Sequence, residues 1–374
     1  MTFMLTSRLK GQVPMRAENL AVAAVPSRGD FGGAALAGHR QVVADEFVVD
    51  REILGLRREG TYIWGALRDG NGDLFSLMRR VPPTGAVTGT VDANSLGDRL
   101  VVLSSADADM LVTRREPRNA VSSDQVTRSM ADGVATLAGE SAGRGRMCLR
   151  TDGVSIDYLE EGVLELSGSR VGPGLQWYLP GTSGALYYPT QTWLVEGTAL
   201  GWEARGFLFV EEAYMSPGAR LYVAKDPLHD VDYLTWYSWA TRWEDGEVEF
   251  GHFLFGQGRF HVGLVVNGDG SVRVVREMDV VVRRAEDGYW HDGLELTLDG
   301  EAWELVPDPR GRMRLGPIPN PQQEGLVRGW GSGAPQMCGW PGARRSPPTA
   351  NAGPADRRRL REARTPHLAS VATR

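Results

Sequence analysis

Between Ser271 and Arg284 the chain alternates apolar and polar residues almost without a break. Val272, Val274, Met278, Val280 and Val282 fall on one face, and Ser271, Arg273, Glu277, Asp279 and Arg283 on the other. Only an extended strand with one buried face puts every second side chain on the same side, so a helix is excluded here. Arg276 interrupts the pattern on the apolar face, where a guanidinium needs a partner or a wet cavity. It reads either as half of a buried ion pair that holds a barrel together or as a ligand-binding residue.

Turn chemistry extends the pattern backwards. Asn267-Gly268-Asp269-Gly270, centred on Gly268 and Asp269, pairs Val265 with Val272, Gly263 with Val274 and His261 with Arg276. A turn centred on Gln257 and Gly258 sets Leu254 opposite His261. Asp245-Gly246 then pairs Trp243 with Val248, Thr241 with Phe250, Trp239 with His252 and Tyr237 with Leu254. On these registers four strands share one interior holding Tyr237, Trp239, Thr241, Trp243, Phe250, Leu254, His252, His261 and Arg276. A mostly apolar wall with a few convergent polar groups is what small-molecule pockets are made of. A slip of one residue at a turn would reverse the faces of the following strand.

The same grammar recurs along the chain. Asp69-Gly70-Asn71-Gly72-Asp73 separates strands at Thr61–Arg68 and Leu74–Arg80, and further short alternating runs continue to Val306. Helix signals are scarce, with Ser122–Leu137 the one plausible helical stretch in the first half. The expected fold is all-β, with two consecutive antiparallel β-barrel or sandwich domains. An arm covers 1–45, a first barrel 46–173, and a second, aromatic-lined barrel 174–325. Residues 326–374 form a tail with six prolines, nine arginines and no alternation, expected to be disordered or the product of a frame-shift in GC-rich DNA.

Composition removes several function classes. The net charge is −6 and the arginine-rich tail is cationic, so the main body is acidic, with no basic stripe of the kind that tracks phosphates; nucleic acid is not an expected partner. No run reaches the roughly 20 apolar residues of a membrane span, and no apolar leader opens the chain, which suggests a cytoplasmic location. Cys148 and Cys338 are the only cysteines, too few for a disulfide framework or a cysteine zinc site. His229, Asp230 and Asp232 share a connection but lack metal-ligand spacing, and no glycine loop or nucleophile elbow is present. Neither a metal nor a cofactor is expected.

Gly206–Met215 ends an apolar strand with adjacent carboxylates, Glu211 and Glu212, whose side chains must point to opposite faces. Whichever enters a lumen is desolvated and becomes a candidate proton donor; the alternative is two acids meeting solvent at a strand end.

Gly206–Tyr214, followed by Tyr233-Leu234-Thr235-Trp236-Tyr237-Ser238-Trp239 and the Glu244-Asp245-Gly246 turn, resembles the two-domain lipocalin-like family of carotenoid 1,2-hydratases (hydroxyneurosporene synthases) and AttH-like proteins, over roughly residues 60–320. The resemblance implies two calycin-like barrels and a hydrophobic, isoprenoid or polycyclic, ligand. The hydratases carry an Asp-His pair near the glycine-aromatic strand; Glu211-Glu212 stands in its place, keeping a carboxylate without the histidine. Residues and resemblance together suggest a small hydrophobic (isoprenoid, polyketide or steroid-like) ligand and acid catalysis of the lyase (hydratase-like) or isomerase type. Glu211 or Glu212 would donate the proton, His252 and His261 would relay it, and Arg276 would hold a carboxylate or enolate. Tyr237, Trp239, Thr241, Trp243, Phe250 and Leu254 would shape the cavity. The alternatives are a non-catalytic binding protein with the same cavity, and a structural module whose barrels are filled by side chains.

Overall fold

A computed structural model describes residues 20–22, 35–84, 99–114, 121–143, 145–181, 184–221, 225–228, 234–243, 245–256, 260–286, 290–313, 323–329 and 369–373. Among them the chain is almost entirely strand. The elements are β1 (Leu20–Val22), β2 (Leu36–Arg40), β3 (Arg57–Asp69), β4 (Leu74–Val81), β5 (Val101–Ser104), β6 (Val112–Arg114), β7 (Thr127–Ala131), β8 (Val134–Ser141), β9 (Gly145–Thr151), β10 (Ser155–Glu160), β11 (Leu164–Arg170) and β12 (Gly174–Leu179). They continue as β13 (Leu186–Ala199), β14 (Trp202–Met215), β15 (Leu234–Arg242), β16 (Val248–Gly256), β17 (His261–Val266), β18 (Val272–Val275), β19 (Met278–Arg284), β20 (His291–Leu298), β21 (Glu301–Arg312), β22 (Gln323–Gly329) and β23 (Ala369–Thr373).

Among the described residues the strand pairs are all antiparallel, and they make three sheets. The largest follows the order β6-β5-β4-β3-β14-β13-β11-β10-β9-β8-β7, with β12 bridging β13 to β2. It takes in strands from both sides of residue 174, the expected boundary between two barrels. Its two arms curl over a shared core of Ile63, Leu77, Leu149, Tyr158, Trp193 and Leu208. The second sheet has the order β18-β17-β16-β15-β23, and the third β19-β20-β21-β22.

The five-stranded sheet is buried on both faces. One face packs Trp236, Phe250, Leu254 and Leu264 against Trp177, Tyr188, Phe207 and Phe209 of the large sheet. The other packs Tyr237, Trp239, Phe253 and Val265 against Leu296, Trp303 and Leu305 of the four-stranded sheet. Strands β13 and β14 likewise separate two cores, which is why Gly206–Met215 reads as a nearly continuous apolar run rather than an alternating one.

Two sequence expectations change here. Ser122–Leu137 holds a single 3-10 turn, Ser123–Gln125, followed by the β7–β8 hairpin. Ser122 does make a capping box with Gln125, but Asp132 and Gly133 both take positive φ and fold the chain back within a few residues. Parts of the span expected to be a disordered tail are also strand. Leu326 and Val327 are buried in β22, and Ala369–Thr373 pairs with β15, while residues 330–368 lie outside the described set.

The hairpin registers of the second half differ from the expected ones by one residue at every turn. Arg242 pairs with Val248, Phe255 with His261, and Val266 with Val272. Each leaves a five-residue loop where a two-residue turn was expected. In the first and third, the N–H of Trp243 or Asn267 reaches the carbonyl of Glu247 or Ser271, and Gly246 or Gly270 closes the turn at φ +92° or +80°. A glycine at positive φ in the fourth loop position takes up one extra residue relative to a type I′ turn. The predicted interior therefore splits: His252, Phe250 and Leu254 face the large sheet with Trp236, whereas Tyr237, Trp239, Thr241 and His261 face the four-stranded sheet.

Polar contacts tie the four-stranded sheet to the β3–β4 hairpin. Arg68 donates to Asp308 (2.8 Å), Ser76 Oγ donates to Glu324 Oε1 (2.9 Å), and Arg310 pairs with Asp73. Burial pushes the Glu324 carboxyl up to about 8, with Asp308 adding to the rise and Ser76 and Arg68 opposing it. Between pH about 4.5 and 8 the unfolded chain has released a proton that the folded chain keeps, so this group's contribution to stability is full below that window and lost across it. Glu324→Gln should flatten the corresponding decline in a series of denaturant titrations from pH 5 to about 8.5; an unchanged slope would mean that the carboxyl titrates normally.

Candidate active site

Glu211 and Glu212 point to opposite faces of β14, as adjacent strand residues must, and both are buried. Glu211 enters the space between the large and five-stranded sheets. Its Oε2 accepts from the Tyr188 hydroxyl at 2.6 Å, and its Oε1 accepts from Ser238 Oγ at 2.7 Å, with Thr190 Oγ1 at 3.5 Å. His252 Nε2 lies 3.1 Å from Ser238 Oγ and 3.4 Å from Glu211 Oε1. Tyr188 and Thr190 come from β13, Ser238 from β15 and His252 from β16, where Ser238 and His252 are direct cross-strand partners.

Aromatic rings enclose this group. Trp177 stacks on Tyr188 at 5.2 Å between centroids, Trp236 meets Tyr188 edge-on at 4.7 Å, and the imidazole of His252 sits 6.1 Å from Trp236 and 6.4 Å from Tyr188. His252 is 1% exposed. Its Nε2 is engaged, whereas its Nδ1 is buried and makes no hydrogen bond among the described residues.

The hydrogen bonds fix the protons. With Glu211 ionised, Tyr188 and Ser238 both donate to it, and the Ser238 oxygen is then free to accept from His252 Nε2–H. Nδ1 is left as a lone pair in the neutral ring, or as an N–H in the imidazolium.

The other predicted site residues lie elsewhere. Glu212 faces the core of the large sheet, where its Oε2 takes hydrogen bonds from Arg58 (2.7 Å) and Thr61 (2.9 Å). Burial lifts its carboxyl above the usual range against the pull of Arg58 and Arg128. His261 Nε2 contacts the Arg276 backbone carbonyl at 3.1 Å, but the Arg276 side chain is exposed at a break between β18 and β19. The backbone N–H groups of Arg276 and Glu277 both donate to Asp299 Oδ1, which kinks the strand and turns Arg276 outward. Arg276 therefore does not share an interior with His252 and His261, correcting the sequence reading. Tyr237 Oη reaches His291 Nδ1 (3.2 Å), and Thr241 Oγ1 donates to the Val327 carbonyl (2.9 Å). Trp239 packs on Trp303 at 5.5 Å, so Tyr237, Trp239 and Thr241 bind the two smaller sheets together. Trp243 is buried at the turn after β15, and Phe250 and Leu254 belong to the wall of the Glu211 group.

Sequence reasoning missed Tyr188, Ser238, Trp177 and Trp236 as a set. Their joint signal was only the aromatic enrichment after Gly174 and the Trp-Tyr-Ser-Trp run.

Among the described residues no group of three or more His, Cys, Asp or Glu side chains is arranged to hold a metal; His229, Asp230 and Asp232 lie outside them. No helix among them is long and apolar enough to cross a membrane. A groove of about 860 Å³ runs over the outer face of β8–β11 and β13, lined by Cys148, Arg150, Asp157 and Leu159, and none of the predicted site residues lines it.

No family model matches the chain, and no curated protein matches its sequence. Among solved structures it is similar to a protein from Nitrosomonas europaea assigned as AttH, at 11% identity and a TM-score of 0.42, covering 88% of this chain and 95% of that one. It is also similar to CghA with Sch210972 (11% identity, TM-score 0.41, 84% and 87% covered). A third is kievitone hydratase from Nectria haematococca (8%, 0.40, 94% and 98%).

Proposed function

We propose that the protein binds a small hydrophobic molecule against the aromatic wall between the large and five-stranded sheets. It then acts on that molecule by acid–base catalysis, as a hydratase-type lyase or an isomerase. The observation that carries this reading is His252: one ring nitrogen is held through Ser238 and Glu211, and the other, fully buried, has no protein partner among the described residues.

In this reading His252 is the catalytic residue, and Glu211, Ser238 and Tyr188 are positioning residues. The imidazolium gives its Nδ1 proton to an alkene carbon or a leaving hydroxyl of the ligand, and the positive charge that develops there is flanked by the faces of Trp177, Tyr188 and Trp236. The neutral imidazole then takes back a proton, either from the water that adds or from the carbon next to the cation. No redox partner is needed, and Glu211 stabilises the imidazolium without itself changing protonation. The seclusion of the site from water strengthens each of these electrostatic contacts.

The test begins with mass spectrometry of whatever co-purifies with the protein, which supplies the compound for binding and turnover assays. Trp236→Ala should weaken its binding roughly tenfold or more, since a buried aromatic contact is worth about 1 kcal/mol beyond its area. If the bound compound is recovered unchanged under all conditions, and tightly held, the protein is a carrier and the catalytic half of the proposal fails.

A further inference from the structure

The candidate site is sealed along both long sides of its cleft. Tyr188, Glu211 and His252 are each no more than 2% exposed, so a molecule that reaches them has to displace part of the wall. On one side β2 comes within 8 Å of β17 and β18, Cα to Cα, and β2 is itself laddered to β1 and β12. On the other side stands β23. It pairs with the edge of β15, and its Cα atoms also come within 8 Å of β3 in the large sheet and of β22 in the four-stranded sheet. All three sheets meet at this strand.

Of the two walls, β23 is the less firmly held. Among the described residues its one ladder is to β15, from Thr235 with Thr373 to Trp239 with Ala369, and it makes none with β22 or β3. Residues 330–368 separate it from β22, whereas a hairpin between neighbouring strands needs only about two to five residues. Pairing with β15, not a tight turn, therefore keeps it in place. A short edge strand with a single ladder lies at the low end of local opening free energies, and it can leave without taking its sheet apart.

The register sets this strand directly beside the site. Ser370 pairs with Ser238, and Ser238 pairs with His252 on the next strand, so one level of the sheet runs from β23 to the imidazole through the residue that holds it. Trp236, part of the aromatic wall, pairs with Ala372. Lifting β23 uncovers the edge of β15 at both residues and opens the gap towards β3.

We infer that β23 is the gate of the His252 cleft: it detaches from β15 to admit a small hydrophobic molecule and pairs again to shut water out. The inference rests on the reading of that cleft as the ligand site, and its test needs no ligand.

Diethyl pyrocarbonate is the probe. It acylates imidazole nitrogens, and peptide mass spectrometry reads the rate separately at buried His252 and at exposed His39. In the full-length wild type His252 should react far more slowly than His39. Backbone N–H groups of successive strand residues point to opposite sides, so of Val371→Pro and Ala372→Pro one removes a ladder bond to β15 and the other removes an N–H that points away. One variant should therefore raise the His252 rate roughly tenfold or more and speed amide exchange along Thr235–Trp239, with His39 and β17 unchanged. The other should stay close to wild type. Faster exchange in β15 with no change at His252 would overturn the inference, as would His252 rates that are the same in both variants. Failure of the ligand reading shows elsewhere, as binding of the co-purified compound that Trp236→Ala leaves unchanged.

Discussion

His252→Gln should lower turnover of the co-purified compound by roughly 10²- to 10⁴-fold while leaving its affinity within a few-fold of wild type. Glutamine fills most of the imidazole volume and can still bond to Ser238, but it cannot carry a proton to the ligand. The positioning residues should behave differently. Glu211→Gln keeps an acceptor for Ser238 and loses only the charge behind the imidazole, so its loss of turnover should fall between wild type and His252→Gln. Ser238→Ala cuts the link between the two, and combining it with Glu211→Gln should cost little more than the larger single effect, because both act through one ring. Full turnover in His252→Gln would remove histidine from the chemistry and return attention to the Glu211 carboxylate.

Much of the fold was legible because alternation is a local property. Strand positions from Thr61 to Arg68 and from Leu74 to Arg80 follow from the glycine-rich turn between them, and the four strands around His252 from the short apolar runs set between Asp-Gly, Gln-Gly and Asn-Gly turns. Register was not legible to the same degree, because it depends on one turn residue. Asp132-Gly133 and Asp299-Gly300 make two-residue turns with both residues at positive φ. In Asn267-Gly268-Asp269-Gly270 and Trp243-Glu244-Asp245-Gly246 only the last glycine is described there, and an aspartate side chain accepts from the N–H two residues on, Asp269 from Ser271 and Asp245 from Glu247. The same Asp-Gly letters thus encode loops of two and five residues. An error of one reversed the expected faces and merged two cores into one imagined lumen. Neither the pairing of Glu211 with His252 nor that of Tyr188 with Trp236 could be read from spacing. They meet only because two sheets pack face to face, a contact between side chains about 40 residues or more apart that no periodicity reports.

Arg58→Met should destabilise the fold by about 3–5 kcal/mol, the usual result of removing one partner of a fully buried ion pair. The Arg58 side chain is 0% exposed and Glu212 only 2%, so water cannot replace the lost guanidinium. Arg58 also donates to the carbonyls of Glu46, Phe47 and Val49 and pairs with Asp50, fastening the segment before β3 onto β14. A double variant, Arg58→Met with Glu212→Leu, should therefore recover only part of the loss: the uncompensated charge is gone, but the carbonyls of Glu46 and Val49 still lack their donor, while that of Phe47 keeps Arg128. The pH dependence separates the two contributions. Burial already holds the Glu212 carboxyl above its ordinary range, and without Arg58 it rises further. A carboxyl raised in the folded state contributes stability that is present at low pH and lost as pH climbs, so the deficit of Arg58→Met should be smaller at about pH 5 than at about pH 8. Denaturant unfolding of wild type, Arg58→Met and the double variant at both pH values checks this. A deficit below about 1 kcal/mol that does not change with pH is what a solvent-screened surface pair gives, and would show that this ion pair is not sealed inside the core.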